Sequence, residues 1–269
     1  MILLVTGSVL GLPTLIGALA PAAATQWSDF SPAPGTWITM LPATAAVTAT
    51  DDDGLTATAA YRISTNGGAT WSNWRTTNLQ AEQLDPNRYR LTVTNLNLAE
   101  GANFIQFRIT DLGGDVANSP AFALQVDTQA PASPINPQPQ PAGWTNINRF
   151  GVTWSNPSDL NGIGGAWYKL GVAPTAANDG TFVPGANLTS LTDLTVPGDG
   201  AHTLWLWLAD GLGNADHRRA VTVTFALDTQ PPAGLSNVSV TPATWTRTNR
   251  FDLGWTVPAD MSGIVGVRY

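Results

Sequence analysis

The chain contains no cysteine. That removes disulfides, thiolate metal sites and cysteine nucleophiles together, and with them any lipid anchor built on a processed cysteine. Lysine and glutamate, both good helix formers, are nearly missing too. There is one lysine, Lys169, and there are two glutamates, Glu82 and Glu100, in 269 residues. Thr, Val, Asn, Asp, Gly and Pro take their place, and these favour strands and turns. Histidine is limited to His202 and His217, with no partner at a metal-binding spacing. There is no Gly-x-Ser-x-Gly elbow, no His-Glu-x-x-His pair and no phosphate-binding loop. Charged residues make up 12% of the chain and the net charge is −7, without a basic run. This argues against nucleic acid and anionic membrane as partners. The expectation is a chain with no catalytic residues and no dedicated metal site.

What the sequence does contain is a long internal repeat. Trp144, Thr145, Asn148, Arg149, Phe150, Trp154, Pro157, Asp159, Gly162, Ile163 and Tyr168 return as Trp245, Thr246, Asn249, Arg250, Phe251, Trp255, Pro258, Asp260, Gly263, Ile264 and Tyr269, always 101 positions later. Asp127-Thr128-Gln129 returns as Asp228-Thr229-Gln230. A period near 100 residues is a whole small domain, not a solenoid unit. A weaker copy precedes it. Trp37, Val47 and Tyr61 align with Trp144, Trp154 and Tyr168, and Gly101 and Asp111 with Gly200 and Asp210.

Within each copy the apolar residues alternate. Ile105, Phe107 and Ile109 interleave with Gln106, Arg108 and Thr110, and Val223, Phe225 and Leu227 behave likewise. Period two marks strands with one buried face. Asp111-Leu112-Gly113-Gly114 and Asp210-Gly211-Leu212-Gly213-Asn214 read as turns between paired strands. The fold class expected is all-β: tandem immunoglobulin-like β-sandwiches joined by Pro-rich linkers, with the third domain incomplete. The boundaries read as 25–129 for domain 1, 130–141 for a Pro-rich linker, 142–228 for domain 2 and 229–269 for the start of domain 3. Prolines crowd Pro131 to Pro141, and such runs favour extended, semi-rigid spacers. The 229–269 segment is expected to be unstable alone, because two or three strands cannot close a sandwich.

Residues 1–24 form an apolar stretch ending in Ala20-Pro21-Ala22-Ala23-Ala24. It reads as a secretory signal peptide, atypical in that no Lys or Arg precedes the apolar run; the alternative is an uncleaved membrane anchor, since the stretch is long enough. Membrane contact is expected only through that segment.

Several of these motifs carry a family resemblance. The Val/Leu-Asp-Thr-Gln-x-Pro ends, Ala209 to Asn214, and the Pro-x-Asp-x-x-Gly-Ile-x-Gly run before a tyrosine strand resemble bacterial immunoglobulin-like or fibronectin type III-like repeats. The resemblance covers the chain from about residue 26 onward. It implies an extracellular or cell-surface protein, and says little about the ligand.

Four features are candidates for function, each with a plainer reading beside it. Ser64 to Trp71 resembles the Asp-box of glycan-cleaving propellers, but a propeller needs several such motifs; the plainer reading is a hairpin turned at Asn66-Gly67. Trp71-Ser72-Asn73-Trp74 resembles the Trp-Ser-x-Trp stretch of receptor sandwiches, in which Trp and Arg stack; Arg62 and Arg108 are the candidate cations, and the plainer reading is two tryptophans capping a sheet edge. Asp51, Asp52 and Asp53, or Asp111, Asp115 and Asp127, are candidate calcium ligands, although calcium takes six to eight oxygens and an Asp run is commonly a solvated turn. Lastly, register places Leu204, Leu206 and Leu208 in the core and sends Trp205 and Trp207 outward, with Trp167 beside them. Three exposed tryptophans would form a ligand-binding face for a glycan or protein; the alternative is that the loops within 172–200 cover them.

The function expected is a non-catalytic extracellular or cell-surface spacer or adhesion protein. The alternative is an accessory, carbohydrate-binding arm of a secreted hydrolase.

Overall fold

The computed structural model describes residues 24–268. The stretch read as a signal or anchor lies outside them except for Ala24. Among the described residues no helix is long and apolar enough to cross a membrane. The chain divides between Val126 and Asp127 into two compact units.

The first unit contains β1 (Gln26–Ser31), β2 (Trp37–Ile38), β3 (Ala43–Thr50), β4 (Leu55–Ser64), β5 (Leu79–Asp85), β6 (Arg88–Leu96), β7 (Gly101–Asp111), β8 (Val116–Asn118) and β9 (Phe122–Val126). They form two sheets, β1-β3-β6-β5 and β2-β9-β7-β4, with β8 also pairing on β7. That division, with the first, second, fifth and fourth long strands facing the third, sixth and seventh, is the immunoglobulin arrangement. The expected alternation holds: Ile105, Phe107 and Ile109 are fully buried, against Val47, Leu91 and Val93 of the opposite sheet. Each such side chain contributes about 1.5–3 kcal/mol by leaving water.

The second unit opens with β10 (Ile135–Gln140), β11 (Trp144–Thr145), β12 (Phe150–Ser155), β13 (Ile163–Leu170), β14 (Thr181–Pro184), β15 (Ser190–Leu194), β16 (Gly200–Asp210) and β17 (Val221–Leu227). Its sheets are β10-β12-β15 and β11-β17-β16-β13-β14. The strand after β13 has changed sides: β5 joins the sheet of β3 and β6, whereas β14 joins β13. Phe150 stacks on Phe225 at 4.8 Å in a core with Trp154, Leu204, Leu206 and Leu208.

One expectation is corrected here. Residues 135–140, assigned from sequence to the linker, are a strand: β10 pairs antiparallel with β12, Gln138 opposite Thr153 and Gln140 opposite Gly151. The prolines allow this because β10 is an edge strand. Pro137, Pro139 and Pro141 occupy alternate positions, so their missing N–H groups fall on the solvent side of the edge, where no ladder bond is needed. A local break accompanies the strand. Register shifts between Ile135 and Gln138, and Asn136 sits at φ 49°. The same break recurs in β1, with Asp29 at φ 49° between Ser28 and Ser31.

Beyond this sandwich the described residues hold β18 (Ser236–Thr241) and β19 (Asp252–Thr256), paired antiparallel. Here the bulge returns a third time, with Asn237 at φ 52°. Trp255 is 38% exposed where its counterpart Trp154 is 6% exposed, and Phe251 and Leu253 are likewise open where Phe150 and Val152 are buried.

Candidate functional site

The outer face of the sheet containing β16, β13 and β14 bears the candidate tryptophans. Register is as expected from sequence. Leu204, Leu206 and Leu208 are buried in the core, so alternation sends Trp205 and Trp207 to the other face. Trp167 lies directly opposite Trp207, Lys169 opposite Trp205, and Phe182 opposite Trp167. The rings of Trp167 and Trp207 stack at 6.1 Å with planes 8° apart, and Phe182 tilts against Trp167 at 5.0 Å.

Exposure is where the expectation fails. Trp207 is 0% exposed. The loop of residues 171–180 folds back over it. Trp207 donates its indole N–H to the Ala177 carbonyl at 2.9 Å. Gly180 lies so close to the ring that a Cβ would sit 2.7 Å from Cη2 and 2.6 Å from the Tyr168 carbonyl oxygen. Lys169 pins the loop through Asp179, donating to both carboxylate oxygens at 2.9 Å. Asp179 in turn accepts from the Thr175 backbone and hydroxyl. The Lys169 hydrogen bond, more than any other contact, holds the Asp179 carboxyl down at about 2. What remains at the surface is half-buried Trp167 and Trp205 and exposed Phe182. Trp205 donates to the Gly171 carbonyl at 3.1 Å, which fixes its ring at the loop margin. Phe182 was missed in the sequence. Its position follows from β14 joining β13, and Gly165 makes room for it: a Cβ there would meet the Phe182 ring at 2.5 Å.

The equivalent face of the first unit carries different chemistry. Arg62 faces Gln106 across β4 and β7 and donates to its side-chain carbonyl at 2.9 Å. Its guanidinium lies 4.9 Å from the Trp71 ring and 4.8 Å from Trp74, and Arg108 lies 4.7 Å from Trp74. The Trp-Arg stack expected from Trp71-Ser72-Asn73-Trp74 is present. The segment is brought to the sheet by Arg75, whose backbone exchanges hydrogen bonds with Tyr61, and by Ser72, which donates to Ile63. The connecting loop differs from the expected two-residue turn. Positive φ falls at Gly67 and Gly68, not Asn66. Asn66 instead uses its side chain, accepting from the Thr70 N–H at 2.9 Å and donating to its hydroxyl at 2.8 Å.

Asp51, Asp52 and Asp53 bring carboxylate oxygens within 4.8 Å of one another, whereas Asp111, Asp115 and Asp127 form no such group among the described residues. Asp51 is buried and occupied, accepting from Thr25 at 2.6 Å and from the Asp53 N–H, while Asp52 and Asp53 are exposed. Asp111 organises its own turn by accepting from the Asp115 N–H at 2.8 Å. Asp127 gathers with Asp159 and Asp210 instead, with carboxylate oxygens all within 4.8 Å. Asn161 donates to Asp127 at 2.6 Å, and Asn214 donates to Asp210 at 2.7 Å and to the Asp127 carbonyl at 3.0 Å. Burial, then the charges of Asp127 and Asp210, raise the Asp159 carboxyl above its usual range. The three carboxylates together carry six oxygens, the lower end of the six to eight that calcium takes, and amide donors already occupy at least one oxygen of each.

No family model matches the chain, and no curated protein matches it. Solved structures do. The fibronectin(III)-like modules of Clostridium thermocellum CbhA are similar at 15% identity and TM-score 0.34, covering 76% of this chain and 93% of theirs. Domains A168–A170 from titin are similar at 10% identity and TM-score 0.48, covering 77% and 68%. The chicken CNTN1 FN1–FN3 domains are similar at 14% identity and TM-score 0.30, covering 87% and 75%. These are fibronectin(III)-like and related sandwich modules. The strand order described above, not the likeness, carries the assignment of tandem all-β sandwiches.

Proposed function

We propose that this chain is a non-catalytic extracellular spacer and adhesion module, and that its second unit makes the contact through Trp205, Trp167 and Phe182. The observation that carries the reading is the partly exposed aromatic row on the outer sheet face, with Trp167 stacked on Trp207, Phe182 tilted against Trp167, and Trp205 hydrogen-bonded to Gly171. Rigid aromatic area costs little entropy on binding, and suits stacking on a sugar ring or packing on a protein. Trp207 supports the row from beneath and is not itself a contact residue. The fold alone does not decide function, since sandwiches host many.

The test is a glycan array and an extracellular-matrix protein panel probed with the intact chain and with Trp205→Gln. Binding lost in the variant, with melting unchanged, supports the contact face. Retention on insoluble neutral polysaccharide alone would favour the accessory arm of a hydrolase over an adhesin. No Trp205-dependent binding to either panel would remove the contact role and leave spacing.

A further inference from the structure

We propose a second binding site, independent of the domain 2 tryptophans: the Trp-Arg stack of the first unit takes an anionic polysaccharide, through carboxylate or sulfate groups held by Arg62 and Arg108. Among the described residues neither guanidinium is paired with a carboxylate, and unlike Arg75, Arg90, Arg218, Arg247 and Arg268, which also lack one, these two share a ring, that of Trp74. In a chain of net charge −7, two unneutralised cations on one sheet face run against the charge of the whole.

They are also held in place. Arg62 sits on β4 and Arg108 on β7, both pointing away from a core that contains Tyr61, Ile63, Phe107 and Ile109. Trp74 is shared by the two guanidinium groups, and Trp71 packs on the first. Stacking occupies the flat faces of a guanidinium and leaves its N–H edge free. Arg62 spends only its Nε on Gln106. That edge is the fork that matches carboxylate and sulfate in bidentate fashion. Because the rotamers are fixed before binding, little side-chain entropy is lost when an anion arrives. Two cations separated by one indole suit a polymer that repeats its charge, more than a single small anion.

A polysaccharide is favoured over a nucleic acid on two grounds. Single-stranded nucleic acid uses free aromatic faces to stack bases, and Trp74 is already taken up by two arginines. Nucleic-acid binders also carry extended basic surface, and this chain has no basic run.

The experiment is retention of the intact chain on heparin, alginate and DNA matrices at low salt, with a neutral dextran matrix as control. The expected result is retention on heparin or alginate that is released by modest salt, as befits two ionic contacts, and flow-through on dextran. Arg62→Gln with Arg108→Gln should abolish retention and leave the melting temperature within a few degrees. As a measurement that does not depend on the variant folding, the Nε–Hε resonances of Arg62 and Arg108 in the unmodified chain should shift on titration with heparin oligosaccharide. No retention, no shift, or full retention by a folded double variant would overturn the proposal. Retention on DNA equal to that on the polysaccharides would overturn the choice of ligand.

Discussion

Lys169 donates to both carboxylate oxygens of Asp179 at 2.9 Å, so a single ion pair ties β13 to the loop that seals Trp207. Lys169 lies opposite Trp205 across β13 and β16, so the pair sits at the margin of the aromatic row.

Replacing Asp179 by Asn should loosen that loop. Asp179 has its carboxyl lowered to about 2, chiefly by the Lys169 hydrogen bond. A depressed carboxylate contributes stability that is present above its unfolded value near 3.8 and is lost as pH falls through the folded value. In the parent chain the loop should therefore hold at pH 4 and release between about pH 4 and pH 2. Tryptophan emission should shift to the red over that window. Asp179→Asn should lack the step, and should show faster hydrogen exchange at the Thr175 and Gly171 amides at neutral pH. Identical exchange in the two proteins would mean the Trp207–Ala177 and Trp205–Gly171 bonds hold the loop without the ion pair.

The two outward tryptophans of β16 should respond in opposite ways. Trp207 is fully buried and bonded to Ala177. Trp207→Ala should cost about 3–5 kcal/mol, the range for emptying a large aromatic site. Trp205 is only half buried, and Trp205→Gln should cost about 1 kcal/mol or less. Denaturant melts of the two variants measure both. Equal losses would mean Trp205 is core as well.

The strand bulge offers a third test. Asn136 holds φ 49° in β10, and Asp29 and Asn237 hold φ 49° and 52° in β1 and β18. Residues with a Cβ pay roughly 1–2 kcal/mol in the left-handed region, while Asn, Asp and Gly are tolerated there. Asn136→Val should destabilise the second unit by about that amount, and Asn136→Gly should be close to neutral. If valine were as stable as glycine, the bulge would not be strained at this position.

The sequence made some of this plain and hid the rest, for definite reasons. Leu204, Leu206 and Leu208 were readable as core because strand alternation is a local property of the chain. The exposure of Trp207 was not, because its cover comes from Ala177 and Gly180, some thirty residues away, on a loop without periodicity. The β10 strand was hidden by its prolines. Composition marks them as linker, and only their alternate spacing, with Gln138 and Gln140 between, shows that an edge strand fits. The repeated Asp29, Asn136 and Asn237 were a usable signal for the bulge, since Asn and Asp are the residues that tolerate positive φ. The Trp-Arg stack was legible because its cations lie at outward positions of alternating strands and its rings lie together in one short segment, Trp71 to Trp74. Phe182 was not, because nothing local tells whether the strand after β13 joins one sheet or the other.

The carboxylates of Asp127, Asp159 and Asp210 supply the final test. Asp159 has its carboxyl raised, first by burial and then by the charges of Asp127 and Asp210, with Arg219 offsetting part of this. A raised folded value means the folded state holds the proton more tightly than the unfolded chain, so Asp159 favours folding at low pH and opposes it once pH passes the folded value. Asp159→Asn keeps an acceptor for the Asn161 N–H, which the carboxylate now serves at 3.1 Å, and removes the charge. It should raise the melting temperature at neutral pH by on the order of a degree or two, and the gain should vanish below the ordinary carboxylate range. Melting curves of parent and variant at pH 7 and pH 3 decide this; a variant less stable at pH 7 would mean the charge is favourable in place. Calcium offers a second reading of the same pair. An ion between the three carboxylates would relieve the same repulsion, so a calcium-dependent rise in the parent that is absent from Asp159→Asn would mark the group as a cation site. Equal melting with and without calcium would mean that Asn161 and Asn214 satisfy these carboxylates by themselves.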